Sequence, residues 1–189
     1  MKELSTKASI LQHIYAAKHA HLSWVKKADR LVNGLDGYKG KKVDLNVDKT
    51  FIPLTSDTCE FGKWFNAHSP YLREMPSIGH FVTRIEEHHE HLHETYQYIY
   101  NIFFEMLQKR SLIHKILTFN SKKVTTQERE KAKIYLTYLK HTSKELLEVL
   151  SVLENKVKAI NYNELQSVIE KHTTFTFAKD PNTDYDSNE

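Results

Sequence analysis

Apolar residues recur at alternating steps of three and four along three long stretches with no proline beyond the first turn, and this spacing constrains the fold more than any other feature. In the first stretch, from about Ser5 to Asn33, Ile10, Ile14, Ala17, Trp24, Ala28 and Leu31 share one helical face. Ser5 or Thr6 suits its N-cap and Gly34 its stop. The second opens with Pro76 in the first turn. It continues through Ile78, Val82, Ile85, Leu92, Tyr96, Ile99, Phe103 and Met106 to about Leu117. In the third, Thr125 and Glu128 form a capping box ahead of Ala132, Leu136, Leu139, Ser143, Leu146, Leu150, Leu153, Val157 and Ile160.

Shorter segments complete the layout. CEFGKWFNAHS reads as a short helix that turns Phe61, Trp64 and Phe65 inward and stops at Pro70. Residues 34–58 are glycine- and lysine-rich and aperiodic, a connection of the length that usually carries function. NELQSVIEKH suits a short fifth helix, and DPNTDYDSNE has too little apolar surface to order itself. No stretch alternates as a strand would. The fold expected is all-α: an antiparallel four-helix bundle over 1–160 with a long loop between its first two helices, then a short helix and acidic tail over 161–189.

Composition narrows the function. With 27 basic and 24 acidic residues the net charge is +3, without the dense basic stripe that a phosphate backbone requires, so nucleic acid is not an expected partner. No run of roughly 18 apolar residues is present, and MKELSTKASI lacks the apolar core of a secretory signal. No membrane partner and a cytoplasmic location are therefore expected. The single cysteine, Cys59, cannot form an intramolecular disulfide, which leaves burial, reactivity or metal ligation. Lys122, Lys123, Arg129, Lys131 and Lys133 read as a solvated end of the bundle.

Of the 12 histidines, three fall in the core register. His21 takes the step between Ala17 and Trp24, His89 lies between Ile85 and Leu92, and His93 follows one turn later. His19, His88 and His91 fall off these lines and read as solvated or partly exposed. An unpartnered buried imidazole is costly, and one metal shared by all three, with Cys59 as a fourth donor, would relieve them together. Metal-free packing of the same histidines remains open on register alone. Trp24, Phe61, Trp64 and Phe65 read as packing around the site.

KHAHLSWVKK, TCEFGKWFN and EEHHEHLHE, in that order, resemble the chemoreceptor zinc-binding (CZB) domain. Its pattern is a helical histidine separated by two residues from a tryptophan, a Cys-x-Phe/Leu-Gly-x-Trp box and a downstream His-x-x-x-His. The resemblance implies one zinc ion held by His21, Cys59, His89 and His93. It also implies a sensory module for zinc or for an oxidant of the hypochlorous acid type, with Cys59 as the redox-labile ligand. A homodimer and a signalling partner of the chemoreceptor or diguanylate cyclase class are expected with it, and no methyl-accepting hairpin or cyclase motif appears here. Catalysis is not expected, because four protein ligands leave zinc no open position. The alternatives are a hemerythrin-like iron and oxygen carrier, which needs bridging carboxylates in the seam, and a metal-free interaction bundle.

Overall fold

The structure, a computed structural model, describes residues 7–34, 52–106 and 124–177, the last six as backbone only. Five helices form in it: α1 (Lys7–Asn33), α2 (Glu60–Glu74), α3 (Gly79–Tyr100), α4 (Thr126–Ala159) and α5 (Tyr162–Phe177). No strand occurs among the described residues. The expected N-cap of α1, most of the long loop, helix three beyond Met106, Lys122 and Lys123, and the acidic tail lie outside them.

The core follows the three-four register. Ile10, Ile14, Ala17, Ala28 and Leu31 of α1 are buried, as are Val82, Ile85, Leu92, Tyr96 and Ile99 of α3. From α4 come Ala132, Leu136, Leu139, Leu146, Leu150, Leu153 and Val157, with Ser143 also buried in the seam. Each such side chain, moved from water to the interior, contributes about 1.5–3 kcal/mol for the larger apolar types. Both bonds of the Thr125–Glu128 capping box are present at the start of α4.

Helix α4 is the spine on which α1 and α3 pack, both antiparallel to it. Along α1, Lys7 Nζ donates to the Ile160 carbonyl at 3.2 Å, Lys18 meets Glu154 at 3.0 Å, and Asp29 pairs with Lys140. Along α3, His88 lies opposite Glu145 and Tyr98 stacks on Tyr135, so positions rise on one helix as they fall on the other. Helix α2 lies on α1 and α3 and also runs antiparallel to α3: Arg73 reaches Thr83 and Glu86, while Cys59 at its other end reaches His89.

Three boundaries differ from expectation. Helix α2 passes through Pro70 and ends at Glu74. A proline inside a helix costs roughly 3 kcal/mol, and two fully buried side chains beyond it, Leu72 and Met75, offset that at about 1.5–3 kcal/mol each. Pro76 sits in the turn before α3, whose N-cap is Ile78. The fifth helix starts at Tyr162 and runs to Phe177, longer than its apolar pattern suggests. It docks on α2 through buried Leu165 and Val168, with Glu164 accepting from the Ser77 backbone N–H and hydroxyl at 3.1 and 2.6 Å. At the end of α3, Asn101–Glu105 widens into a π-turn that accompanies burial of three consecutive residues, Ile102, Phe103 and Phe104.

Glu154 ties α1 to α4. Its carboxylate accepts from Lys158, from Lys18 and from the Tyr15 hydroxyl at 2.8 Å, and these bonds, Lys158 first, bring its pKa down to about 2. A depressed folded-state value gives stability that is present above the ordinary carboxylate range and is lost as pH falls towards 2. In metal-free protein, Glu154→Gln is therefore expected to lower the thermal midpoint at pH 7 and to differ little from wild type near pH 2. An equal gap at both pH values in thermal melts would contradict this.

Candidate metal centre

Three elements converge where α1, α3 and the start of α2 meet. Regular helical spacing delivers His21 from α1, and His89 and His93 from successive turns of α3; all three are buried. Cys59 is the N-cap of α2, also fully buried, and its sulfur accepts the Gly62 N–H at 3.1 Å. His21, Cys59, His89 and His93 each offer one ligand atom, and these four atoms all lie within 4.8 Å of one another. This is the one such group among the described residues.

Distances inside the group match a small ion. His89 Nε2 lies 3.2 Å from Cys59 Sγ and 3.2 Å from His93 Nε2. Donors on a tetrahedral zinc with bonds of about 2.0–2.3 Å stand roughly 3.3–3.6 Å apart, so these two edges are close to the required size. His19 and His91 are exposed and His88 is half-buried against Glu145, as their register predicts.

Hydrogen bonding settles which nitrogens face the centre. His21 Nδ1 lies 2.6 Å from the Ala17 carbonyl and His93 Nδ1 lies 2.8 Å from the Pro53 carbonyl. A carbonyl accepts only, so each Nδ1 carries the proton and each Nε2 presents a lone pair inward. The Nε2 of His21 is buried with no hydrogen-bond partner at all. Two lone pairs, a third imidazole nitrogen and a sulfur thus point at one volume with too few protons among them, an arrangement that a cation satisfies.

The electrostatics agree. Burial, helped by the neighbouring His93 and opposed by the Ala17 carbonyl, brings His21 down to about 4. Burial with its two histidine neighbours brings His89 to about 2, and burial also lowers His93. All three shifts favour the neutral imidazole, the form that could ligate a metal. Burial pushes the Cys59 thiol up, against the Gly62 and Phe61 N–H groups, so a nearby cation is what would hold it as thiolate.

The aromatic residues shield the centre, as expected of them. Trp24 packs edge-on against His21 and His93, with ring centroids 4.6 and 5.3 Å away, and Phe61 packs 5.1 Å from His89. Trp64 stands further out, stacked between His13 and His68. Three supporting groups were not legible in advance: the Ala17 and Pro53 carbonyls, and the space at Gly62. A Cβ at Gly62 would meet the Ser56 carbonyl oxygen at 1.7 Å and His89 Cε1 at 3.1 Å. The glycine in the Cys-x-Phe-Gly-x-Trp box is thus a steric requirement for seating the Cys59 turn against α3. That requirement explains the box and gave its only prior signal.

Residues 21–100 match the family model described as the chemoreceptor zinc-binding domain. The match begins at His21, includes all four converging residues, and stops before α4. Comparisons with curated proteins and with solved structures returned no match. Among the described residues no helix is long and apolar enough to cross a membrane.

Gly62→Ala is expected to weaken zinc binding by about 10- to 100-fold, the scale of a lost supporting interaction, by pushing the Cys59 turn off α3. His91→Ala, which removes an exposed imidazole of the same helix, should leave affinity unchanged. Competition titration with a chromophoric chelator measures both, and equal affinities for Gly62→Ala and wild type would refute the steric account.

Proposed function

We propose that the chain is a non-enzymatic zinc-binding sensory module, in which His21, Cys59, His89 and His93 hold one zinc ion per chain and Cys59 is the ligand an oxidant removes. The observation that carries the metal reading is the buried, partnerless Nε2 of His21 aimed into a cluster that already holds a thiol and two imidazoles. The match of residues 21–100 to a zinc-binding family model supports it. Zinc supplies the positive charge that keeps Cys59 as thiolate. The chain's own residues orient the imidazoles, through Ala17 and Pro53, and exclude water with Trp24 and Phe61.

An oxidant of the hypochlorous acid type would act on the sulfur. The Cys59 thiolate attacks chlorine, the S–Cl bond forms as the O–Cl bond breaks, and hydroxide leaves. Water then replaces chloride to give the sulfenic acid, a two-electron oxidation of sulfur. A sulfenic acid is a poorer ligand than a thiolate, so the tie between α2 and the α1–α3 pair weakens. Zinc loss in response to chelation would release the same tie. A homodimer, or a signalling partner of the chemoreceptor or diguanylate cyclase class, would read the freed α2.

The hemerythrin-like alternative lacks support at the site, because among the described residues no carboxylate joins the cluster. Glu87, Glu90 and Glu94 are exposed and Glu86 pairs with Arg73. The metal-free alternative leaves the His21 lone pair unexplained.

Treatment of zinc-loaded wild type with hypochlorous acid is expected to release the ion in step with modification of Cys59, followed by a zinc dye and mass spectrometry. Cys59→Ser should bind zinc more weakly and show no oxidant-dependent release. If release proceeds without change at Cys59, the redox role is wrong, and the ligand role stands or falls on the affinity of Cys59→Ser.

A further inference from the structure

Cys59 is fully buried, so any reagent that reaches its sulfur needs a path. A cleft of about 560 Å³ lies between α1 and α2. Both chain neighbours of Cys59, Thr58 and Glu60, form part of its wall, and so do Ala17 and Pro53, whose carbonyls orient His21 and His93. The cleft therefore backs directly onto the supports of three of the four donors. It exists because α1 presents Ala16, Ala17 and Ala20 to the aromatic face of α2, leaving unfilled the space a larger side chain would take.

The polar groups on its walls are specific. His13 and His68 hold their Nδ1 atoms against the carbonyls of Ser9 and Trp64, at 2.9 and 2.6 Å, so each Nε2 is left as an acceptor. Glu60 and Lys63 pair with each other at 2.6 Å and cancel in charge. An anion entering this space would lose hydration with no free countercharge to replace it, whereas a small neutral molecule with an O–H donor meets acceptor nitrogens.

We infer that the α1–α2 cleft is the receiving site through which a small uncharged hydroxylic oxidant, of the hydrogen peroxide or hypochlorous acid kind, reaches Cys59. This rests on the redox reading above and adds to it the route. The barrier between cleft and sulfur is the turn ahead of α2, held by the Thr58 N–H and hydroxyl, which donate to the Thr55 carbonyl at 3.3 and 2.9 Å, and by a 3.3 Å contact of Sγ with the Ser56 carbonyl. Opening of that turn brings the sulfur to the cleft. With hydrogen peroxide, the thiolate forms an S–O bond as the O–O bond breaks. The distal oxygen leaves as hydroxide, and sulfur is oxidised by two electrons.

Substitutions that fill the cleft test this on the zinc-loaded full chain. Ala20→Phe and Ala16→Trp add bulk inside it, and Ala16 is exposed, so its replacement does not disturb the core. Leu22→Trp adds bulk to an exposed position of α1 that is no part of the cleft. Stopped-flow rates of zinc release, with trapping of the Cys59 sulfenic acid, are expected to fall about tenfold or more in both cleft-filling variants for both oxidants. They should stay at the wild-type value in Leu22→Trp, with zinc content and affinity unchanged throughout. A zinc-loaded Ala16→Trp that reacts at the wild-type rate overturns the route and leaves the redox reading intact. A wild-type Cys59 inert to both oxidants overturns both.

Discussion

Everything at the junction of α1, α2 and α3 depends on one electrostatic imbalance: donor atoms buried together without enough protons to pair them. His21 and His93 spend their ring protons on the Ala17 and Pro53 carbonyls, and what remains inside is a set of lone pairs beside a thiol. Burial keeps the imidazoles neutral, since an imidazolium there would lose its hydration with nothing to replace it. Left alone, such a set would be a defect in the core. Around a divalent cation it would become a crosslink joining three segments of chain, α1, α3 and the start of α2.

That crosslink has unequal arms. Helices α1 and α3 pack along the length of α4 and stay together without help from a metal. Helix α2 has a smaller interface and a proline within it, so its N-terminal end depends most on the ligation of Cys59. The far end of α2 carries α5 through Ser77 and Glu164. The most oxidisable donor thus sits at the start of the ligand-bearing helix with the smallest interface. The chemistry and the mechanics fall on the same element.

Much of this was legible in the sequence, for physical reasons that differ by feature. The periodic faces of α1, α3 and α4 were readable because long helices bury one continuous stripe, and the same register picked out His21, His89 and His93 among neighbours such as His19 and His91. Cys59 entered through its uniqueness and its box. The course of α2 past Pro70 was not readable, because burial of Leu72 and Met75 outweighs a local rule that sequence alone weighs first. Nor were the Ala17 and Pro53 carbonyls, since backbone groups leave no mark in residue identity. The cleft was hidden for a related reason: three alanines on one helix face signify a gap only when the opposing surface is known.

X-ray absorption at the zinc edge of the purified protein examines the centre itself. The account predicts one zinc per chain with one sulfur at about 2.3 Å and three nitrogens at about 2.0–2.1 Å in the first shell, and loss of the sulfur contribution in Cys59→Ser. A spectrum of the wild-type protein with no sulfur scatterer, or a protein that takes up no zinc, would contradict it.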